Sequence, residues 1–227
     1  MAYILHIESS STVCSVALSH QQHLLAIKEL DAGYTHAENL HVFIQHVLQE
    51  QHLSMSVLQA IAVSSGPGSY TGLRIGFATA KALAYALHIP LIVVDTLRVF
   101  SSLAKIQVPG AGAYCPMLDA RRMEVYTALY SPDLGELRAP EALVLDDAFV
   151  KRFASEERSV CFFGDGMPKA KDMLQALPGA CFAHDIKPGS EAMIALAYQK
   201  YQAQDFADTA YATPFYLKDF YFAPTKK

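Results

Sequence analysis

The chain has 227 residues, of which 52% are hydrophobic and 18% are charged, and its formal net charge is −4. A high apolar fraction with so small a net charge excludes a disordered chain and predicts a sizeable folded core. The mild acidity excludes a protein that holds nucleic acid by itself through phosphate neutralisation, because such proteins carry a basic excess.

Residue spacing and hydropathy exclude further classes. The four cysteines form no C-x-x-C pair and lack the Cys/His spacing of a zinc site, and the histidines form no i, i+4 pair. We therefore expect buried thiols and no metal. No basic leader precedes an apolar run, and no such run approaches the ~18–20 residues of a membrane span. The composition thus predicts a soluble, cytoplasmic protein.

Strands alternate with helices in the first half of the chain, which indicates a layered α/β architecture. Apolar runs on both sides of the polar stretch Glu8–Thr12 predict a strand–turn–strand unit. Thr35 and Glu38 have the S/T-x-x-E spacing of a capping box, so a helix should begin there. The predicted elements are strands at 3–7, 13–18 and 24–30, a helix from 35, a strand at 60–64, a helix to about 88 and a strand at 91–94.

Near Gly110–Gly112 the chain begins a second unit of the same kind. Setting Glu8 against Asp119 aligns two segments that each read apolar strand, acidic residue, polar turn, strand. Either any two hairpins align this well, or one domain-sized unit is duplicated. On the second interpretation, 1–106 is an N-terminal α/β half and 107–227 is a C-terminal α/β half, whose last segment packs back on the first.

The second half is less regular. Phe162–Gly166 predicts a strand that enters a glycine turn, and Ser190 opens a helix that runs to about Gln202. The chain ends in an aromatic-rich stretch at 214–222, which a solvated tail would not carry. This stretch packs either on its own chain or on a partner, and the sequence leaves both open.

The most informative segment is a glycine-rich loop between the predicted strand at 60–64 and the helix after it. Glycines free the backbone at such a place, and amides at a helix N-terminus can meet an anion. No Gly-Lys-Ser/Thr follows, so this is not a Walker A loop. A phosphate cradle and a purely structural turn both remain open. The loop reads Gly66-Pro67-Gly68-Ser69-Tyr70-Thr71-Gly72-Leu73-Arg74-Ile75-Gly76.

This loop closely resembles the signature of the TsaB family, also called YeaZ, which is required for threonylcarbamoyladenosine (t6A) modification of tRNA. The hairpin at 4–18, the helix start at 35–38, the segment at 117–126 and the C-terminal motif at 214–218 resemble the family in the same order. The resemblance implies an actin-like, sugar-kinase-like ATPase (ASKHA) fold of two related α/β halves. It also implies that the chain is a non-catalytic scaffold partner of TsaD, and that the small ATPase TsaE joins the two proteins. The complex would form t6A at adenine 37 of tRNAs that read codons beginning with A.

The turns argue against catalysis by the chain itself. Enzymes of this fold use two glycine-containing phosphate turns, whereas Glu8-Ser9-Ser10 and the matching turn at Asp119 lack glycine and would crowd a phosphate. The family usually has Asp where this chain has Glu8, which puts a nucleotide or metal role in doubt. We predict a degenerate nucleotide turn, no catalytic residue and no cofactor, and weak nucleotide binding stays open. The alternatives are a small-molecule kinase or ATPase of the same fold and a stand-alone homodimeric binding module.

Without chemistry of its own, the chain should act through its surface. The helix after the glycine loop is apolar nearly all round, so it is either buried in its own domain or shared with a partner. We favour the second, with TsaD as partner and a homodimer in isolation. We expect tRNA to be reached indirectly, with Arg121, Arg122, Lys226 and Lys227 as local basic spots. The predicted partner interface consists of Leu40, Phe43, Ile44, Val47, Leu73, Phe77, Ala80, Ala84 and Leu87.

Overall fold

The structure, a computed structural model, describes residues 2–33 and 36–218 and is built around two five-stranded sheets. The apolar runs at 4–7 and 60–63 form the central strands of the first sheet, where both faces are covered. The elements of this half are β1 (Tyr3–Glu8), β2 (Val13–His20), β3 (His23–Asp31), α1 (His36–Glu50), β4 (Leu58–Ser64), α2 (Tyr70–Leu87) and β5 (Leu91–Val94).

The second sheet follows a connecting helix. Asp95 caps this helix, because its carboxylate accepts a hydrogen bond of 2.7 Å from the Arg98 amide. The remaining elements are α3 (Thr96–Gln107), β6 (Ala113–Asp119), β7 (Glu124–Tyr130), β8 (Glu136–Val144), α4 (Asp147–Ala154), β9 (Val160–Phe163), α5 (Met167–Leu174), β10 (Ala180–Phe182) and α6 (Ile194–Gln202).

The two sheets have the same topology. The strand order is β3-β2-β1-β4-β5 in the first and, in the matching direction, β8-β7-β6-β9-β10 in the second. In each, the first strand pairs antiparallel with the second and parallel with the fourth. Glu8 and Asp119 therefore lie at equivalent ends of equivalent strands. The duplicated α/β unit expected from the sequence is confirmed.

Helix α3 lies between the two sheets and joins their cores. Leu97 and Phe100 pack with second-sheet residues, whereas Val99 packs with the first sheet and with Met193. Helices α1 and α2 cover the opposite face of the first sheet, and α4 and α5 cover the outer face of the second. The 190–197 segment also packs on the first sheet, so the chain returns to its first half. The division at 106/107 stays a prediction.

Several sequence-based predictions concern residues outside the described ranges. Thr35 of the capping box lies outside the described residues, as do 219–222 of the aromatic stretch and both Lys226 and Lys227. The strand β8 was not predicted, because it is an edge strand with little buried surface and carries Pro140 among charged residues.

Candidate functional site

The glycine-rich segment predicted as a loop at 66–76 is divided in the structure: 65–69 connect the end of β4 to α2, and 70–76 form the first turns of that helix. The first residue of the segment, Gly66, has a φ of +106°, which favours glycine, and is joined to Pro67 by a cis peptide bond. The Gly66 amide donates to the Thr96 hydroxyl at 2.9 Å, and the Thr96 amide donates back to the Gly66 carbonyl at 3.1 Å. The loop is thus fastened to the start of α3.

Gly68 of the loop and two glycines in the first turns of α2, Gly72 and Gly76, allow close packing on the β1–β2 turn. A Cβ at Gly68 would lie under 3.0 Å from the Ser10 carbonyl oxygen, and one at Gly72 would collide in the same way with the Ser9 carbonyl oxygen. A Cβ at Gly76 would collide with the Ser9 hydroxyl. Real Cβ atoms do not approach so closely, so these glycines admit the turn. The space next to the loop is filled by the chain itself.

Several amides of this segment are also occupied. The Ser69 amide donates to the Ser10 carbonyl at 2.6 Å, and the Gly72 amide donates to the Ser69 hydroxyl, the N-cap of α2, at 3.2 Å. The Ser9 hydroxyl donates to the Gly72 carbonyl at 2.9 Å. Because amides used in this way are not free to receive an anion, the geometry favours a structural turn over a phosphate cradle.

Glu8 lies beneath this loop and is fully buried. Its Oε1 accepts hydrogen bonds from the Ser10 amide at 2.7 Å and from the Ser64 hydroxyl at 2.9 Å, while its Oε2 has no hydrogen-bond partner in the described structure. Burial raises the pKa of the Glu8 carboxyl, and the hydrogen bonds from Ser10 and Ser64 oppose that shift. The carboxyl joins the turn to β4.

The equivalent turn of the second half is exposed. Asp119 accepts from the Arg121 amide at 2.6 Å and forms an ion pair with Lys169, whose ammonium also donates to the Arg122 carbonyl at 2.7 Å. Asp165 accepts from the Asp119 amide at 2.9 Å. Arg121 and Arg122 both have positive φ and form the tip of the turn. This turn is held by surface ion pairing.

The structure corrects the predicted partner interface. In an α/β layer, the apolar stripe of a helix packs on its own sheet, and that stripe contains the predicted residues except Leu73, which is buried beside Gly66. Phe77 is 2% exposed and Ala80 is 0% exposed, so neither side chain can meet another protein. The residues corrected in this way are Leu40, Phe43, Ile44, Val47, Leu73, Phe77, Ala80 and Ala84, which are buried; Leu87 is half-buried, and its place in a partner interface stays a prediction.

The opposite faces of α1 and α2 are exposed, and they adjoin because the two helices contact each other. The outer face of α2 is lined by small residues and one large aromatic, Tyr85, which is 76% exposed; Val42 on α1 is 47% exposed. On α1, Val42 lies among polar side chains at the outward positions, and this pattern was the signal in the sequence that could have found the surface. Its members include His41, Val42, Gln45, Arg74, Ala78, Ala82, Tyr85 and Ala86.

The C-terminal segment 207–218, here called the strap, packs on its own chain. The Phe215 amide donates to the Ser65 carbonyl at 2.7 Å, and the rings of Tyr216 and Tyr70 lie 4.9 Å apart. Lys218 at its end forms an ion pair with Glu124 of β7. Of the two options that the sequence left open for 214–222, packing on its own chain therefore holds for the described part.

Neither a membrane-spanning helix nor a metal site is found among the described residues. Within 2–33 and 36–218, no helix combines the length and the apolarity that crossing a membrane requires. Over the same ranges, no group of three or more His, Cys, Asp or Glu side chains is placed to hold a metal ion.

Comparison with known proteins connects this geometry to one family. The profile of the family described as "TsaD: tRNA N6-adenosine threonylcarbamoyltransferase" matches residues 27–217. A Bacillus subtilis protein named tRNA threonylcarbamoyladenosine biosynthesis protein TsaB is 30% identical over 78% of this chain and 76% of its own length. The Escherichia coli protein of the same name is 28% identical over 95% of this chain and 94% of its own length.

Solved structures agree in fold. YeaZ from Pseudomonas aeruginosa is 27% identical, covers 96% of this chain and 100% of its own, and superposes with a TM-score of 0.79. The activator of 2-hydroxyisocaproyl-CoA dehydratase from Clostridium difficile, at 8% identity and a TM-score of 0.52, covers 89% of this chain and 97% of its own. That likeness concerns the fold alone. The two-sheet architecture is the actin-like ASKHA fold expected from the sequence.

Proposed function

This chain belongs to the TsaB (YeaZ) family, and on that basis we propose that it takes part in t6A biosynthesis as a non-catalytic scaffold partner of TsaD. The complex would include TsaE and modify adenine 37 of tRNAs that read codons beginning with A. The chain itself would need no cofactor and would reach tRNA through its partners, in keeping with its net charge of −4.

The observation that carries the proposal is the packing of the signature loop. Ser9 and Ser10 fill the space beside Gly68, Gly72 and Gly76, and the Ser10 carbonyl accepts a hydrogen bond from the Ser69 amide. Phosphoryl transfer relies on positioning and charge stabilisation, so a loop closed by its own chain supports a structural role. The kinase or ATPase alternative is not favoured. Robust, magnesium-dependent ATP turnover by the isolated chain would reinstate it.

The outer face of α1 and α2 is the surface that we propose for TsaD. Ala78 and Ala82 present little bulk, so a helix of another protein can approach closely, and Val42 and Tyr85 add exposed apolar area at its edges. In the absence of TsaD, the same face would pair with a second copy around a two-fold axis. The helix pair thus supplies the contact, but through its solvent face.

The test places a carboxylate on this face. Ala82→Asp should leave the fold intact, because the side chain is exposed, and should weaken TsaD binding more than tenfold, because a desolvated charge without a partner is costly. The matched control is Ala154→Asp, an exposed alanine on α4. Affinity for purified TsaD and the t6A content of tRNA in cells that depend on each variant are measured. Unchanged binding by a folded Ala82→Asp variant would overturn the proposal.

A further inference from the structure

The strap follows α2 along its whole length. Just beyond the C-terminal end of the helix, the Ala207 amide donates to the carbonyl of Leu91, the first residue of β5, at 2.9 Å. At the N-terminal end, Tyr216 packs on Tyr70. The strap therefore runs antiparallel to α2 and forms a second ridge beside it.

Lys81 fastens the middle of the strap. Its ammonium donates to the Ala210 carbonyl at 3.1 Å and to the Ala212 carbonyl at 2.8 Å. These carbonyls flank Tyr211, whose side chain is 83% exposed. Asp208 supports the same turn, because its carboxylate accepts from the Ala210 amide at 2.8 Å and from the Tyr211 amide at 3.2 Å. The chain thus holds the backbone of Tyr211 in place while its ring stands in solvent.

Tyr85 lies on the strap side of α2. Tyr85 follows Lys81 by one helical turn, so it lies on the side of α2 that faces the strap. The outward positions Ala78 and Ala82 lie next to that side. Two exposed tyrosines therefore stand beside the flat, small-residue face already proposed for TsaD.

We infer that the strap is part of the TsaD-binding surface, with Tyr211 and Tyr85 as anchoring side chains and Lys81 as the residue that positions Tyr211. This inference rests on the proposed function. A ridge continuous with a helix-docking face widens the contact, and tyrosine is enriched among interface residues that carry large shares of the binding energy. The pre-formed strap also lowers the ordering cost of that contact, because its backbone is already held by Lys81 and Asp208.

The experiment measures the affinity of the full chain for purified TsaD. Tyr211→Ala and Tyr85→Ala should each weaken binding about tenfold or more, whereas Ile106→Ala, which removes a side chain 75% exposed at the end of α3, should not. Lys81→Met should also weaken binding and should speed amide hydrogen exchange in 207–216. The double variant Lys81→Met/Tyr211→Ala should lose less binding free energy than the sum of the two single variants, since Lys81 acts through Tyr211.

The outcomes separate this inference from the proposed function. If Ala82→Asp abolishes binding and Tyr211→Ala has no effect, the strap is excluded from the interface and the scaffold role stands. If neither variant changes binding, both proposals are wrong. If Tyr211→Ala weakens self-association in sedimentation while TsaD affinity is unchanged, the ridge belongs to a homodimer and the inference fails. If the effects of Lys81→Met and Tyr211→Ala on binding free energy are additive, Lys81 does not act by positioning Tyr211.

Discussion

The turns that follow β1 and β6 occupy equivalent places in two sheets of identical topology, but they lie in opposite surroundings. Glu8 is fully buried and bonded to Ser10 and Ser64, whereas Asp119 is exposed and paired with Lys169. The first turn is covered by the glycine loop, and the second projects a tip of two arginines into solvent.

This difference shows how equivalent positions in two sheets of the same topology can have two structural roles. In both halves, the glycine segment after the fourth strand packs on the end of the first strand: Gly68 and Gly72 approach Ser10 and Ser9, and Gly164 approaches the Met117 carbonyl. Only in the first half does that packing enclose the turn itself. We therefore expect substitutions at the first turn to change the stability of the core, and substitutions at the second to change little.

The largest effect is expected for Gly72→Ala. A methyl group there would collide with the Ser9 backbone carbonyl, which cannot move without displacing the β1–β2 turn. Such overpacking should lower the free energy of unfolding by about 3 kcal/mol. The change is measured by urea denaturation, with the slope checked for two-state behaviour.

The control is Gly135→Ala, where the nearest atom to the new methyl group is the end of the Ser131 side chain at 3.0 Å and φ is not positive. It should cost less than about 1 kcal/mol, because a surface side chain can shift. Equal losses at Gly72 and Gly135 would mean that the glycine loop is not closely packed on the turn.

An intermediate effect is expected for Glu8, which should make the stability of the fold depend on pH. Burial raises the pKa of its carboxyl in the folded state, so protonation favours folding below the ordinary Glu value of 4.5, and that contribution is lost as the pH rises through the folded pKa. Glu8→Gln removes the ionisation. The stability of the variant relative to the original chain should therefore increase above that ordinary value, by roughly 1.4 kcal/mol per pH unit, and level off once the pH passes the folded pKa.

Thermal and urea unfolding from acidic to mildly alkaline pH give the difference at each pH. Glu136→Gln, which changes an exposed carboxyl on the edge strand β8, is the matched control. A flat difference between Glu8→Gln and the original chain would contradict the burial of an ionisable acid beneath the loop.

Sequence patterns anticipated much of the fold, because strand and helix periodicity is local. They placed the β1–β2 hairpin, the glycine loop, α2 and the second unit beginning near Gly112. They did not show which face of α2 meets solvent, since Phe77 and Ala80 are equally suited to a sheet and to a partner. The strap contact of Lys81 with Ala210 and Ala212 was equally inaccessible, because backbone carbonyls leave no mark in a sequence.

The smallest effect is expected at the second turn. Lys169→Met and Asp119→Asn each remove one side of an ion pair whose side chains are 24% and 39% exposed, so each should cost less than about 1 kcal/mol. Lys169 also donates to the Arg122 carbonyl, which makes its replacement the more costly of the two. Urea denaturation at low and high salt measures the free energy of unfolding of both variants. The loss relative to the original chain should shrink as salt screens the ion pair. A loss of unfolding free energy near that of Gly72→Ala, and unaffected by salt, would show that the second turn is as tightly integrated into its half as the first. The two turns would then differ only in their solvent exposure.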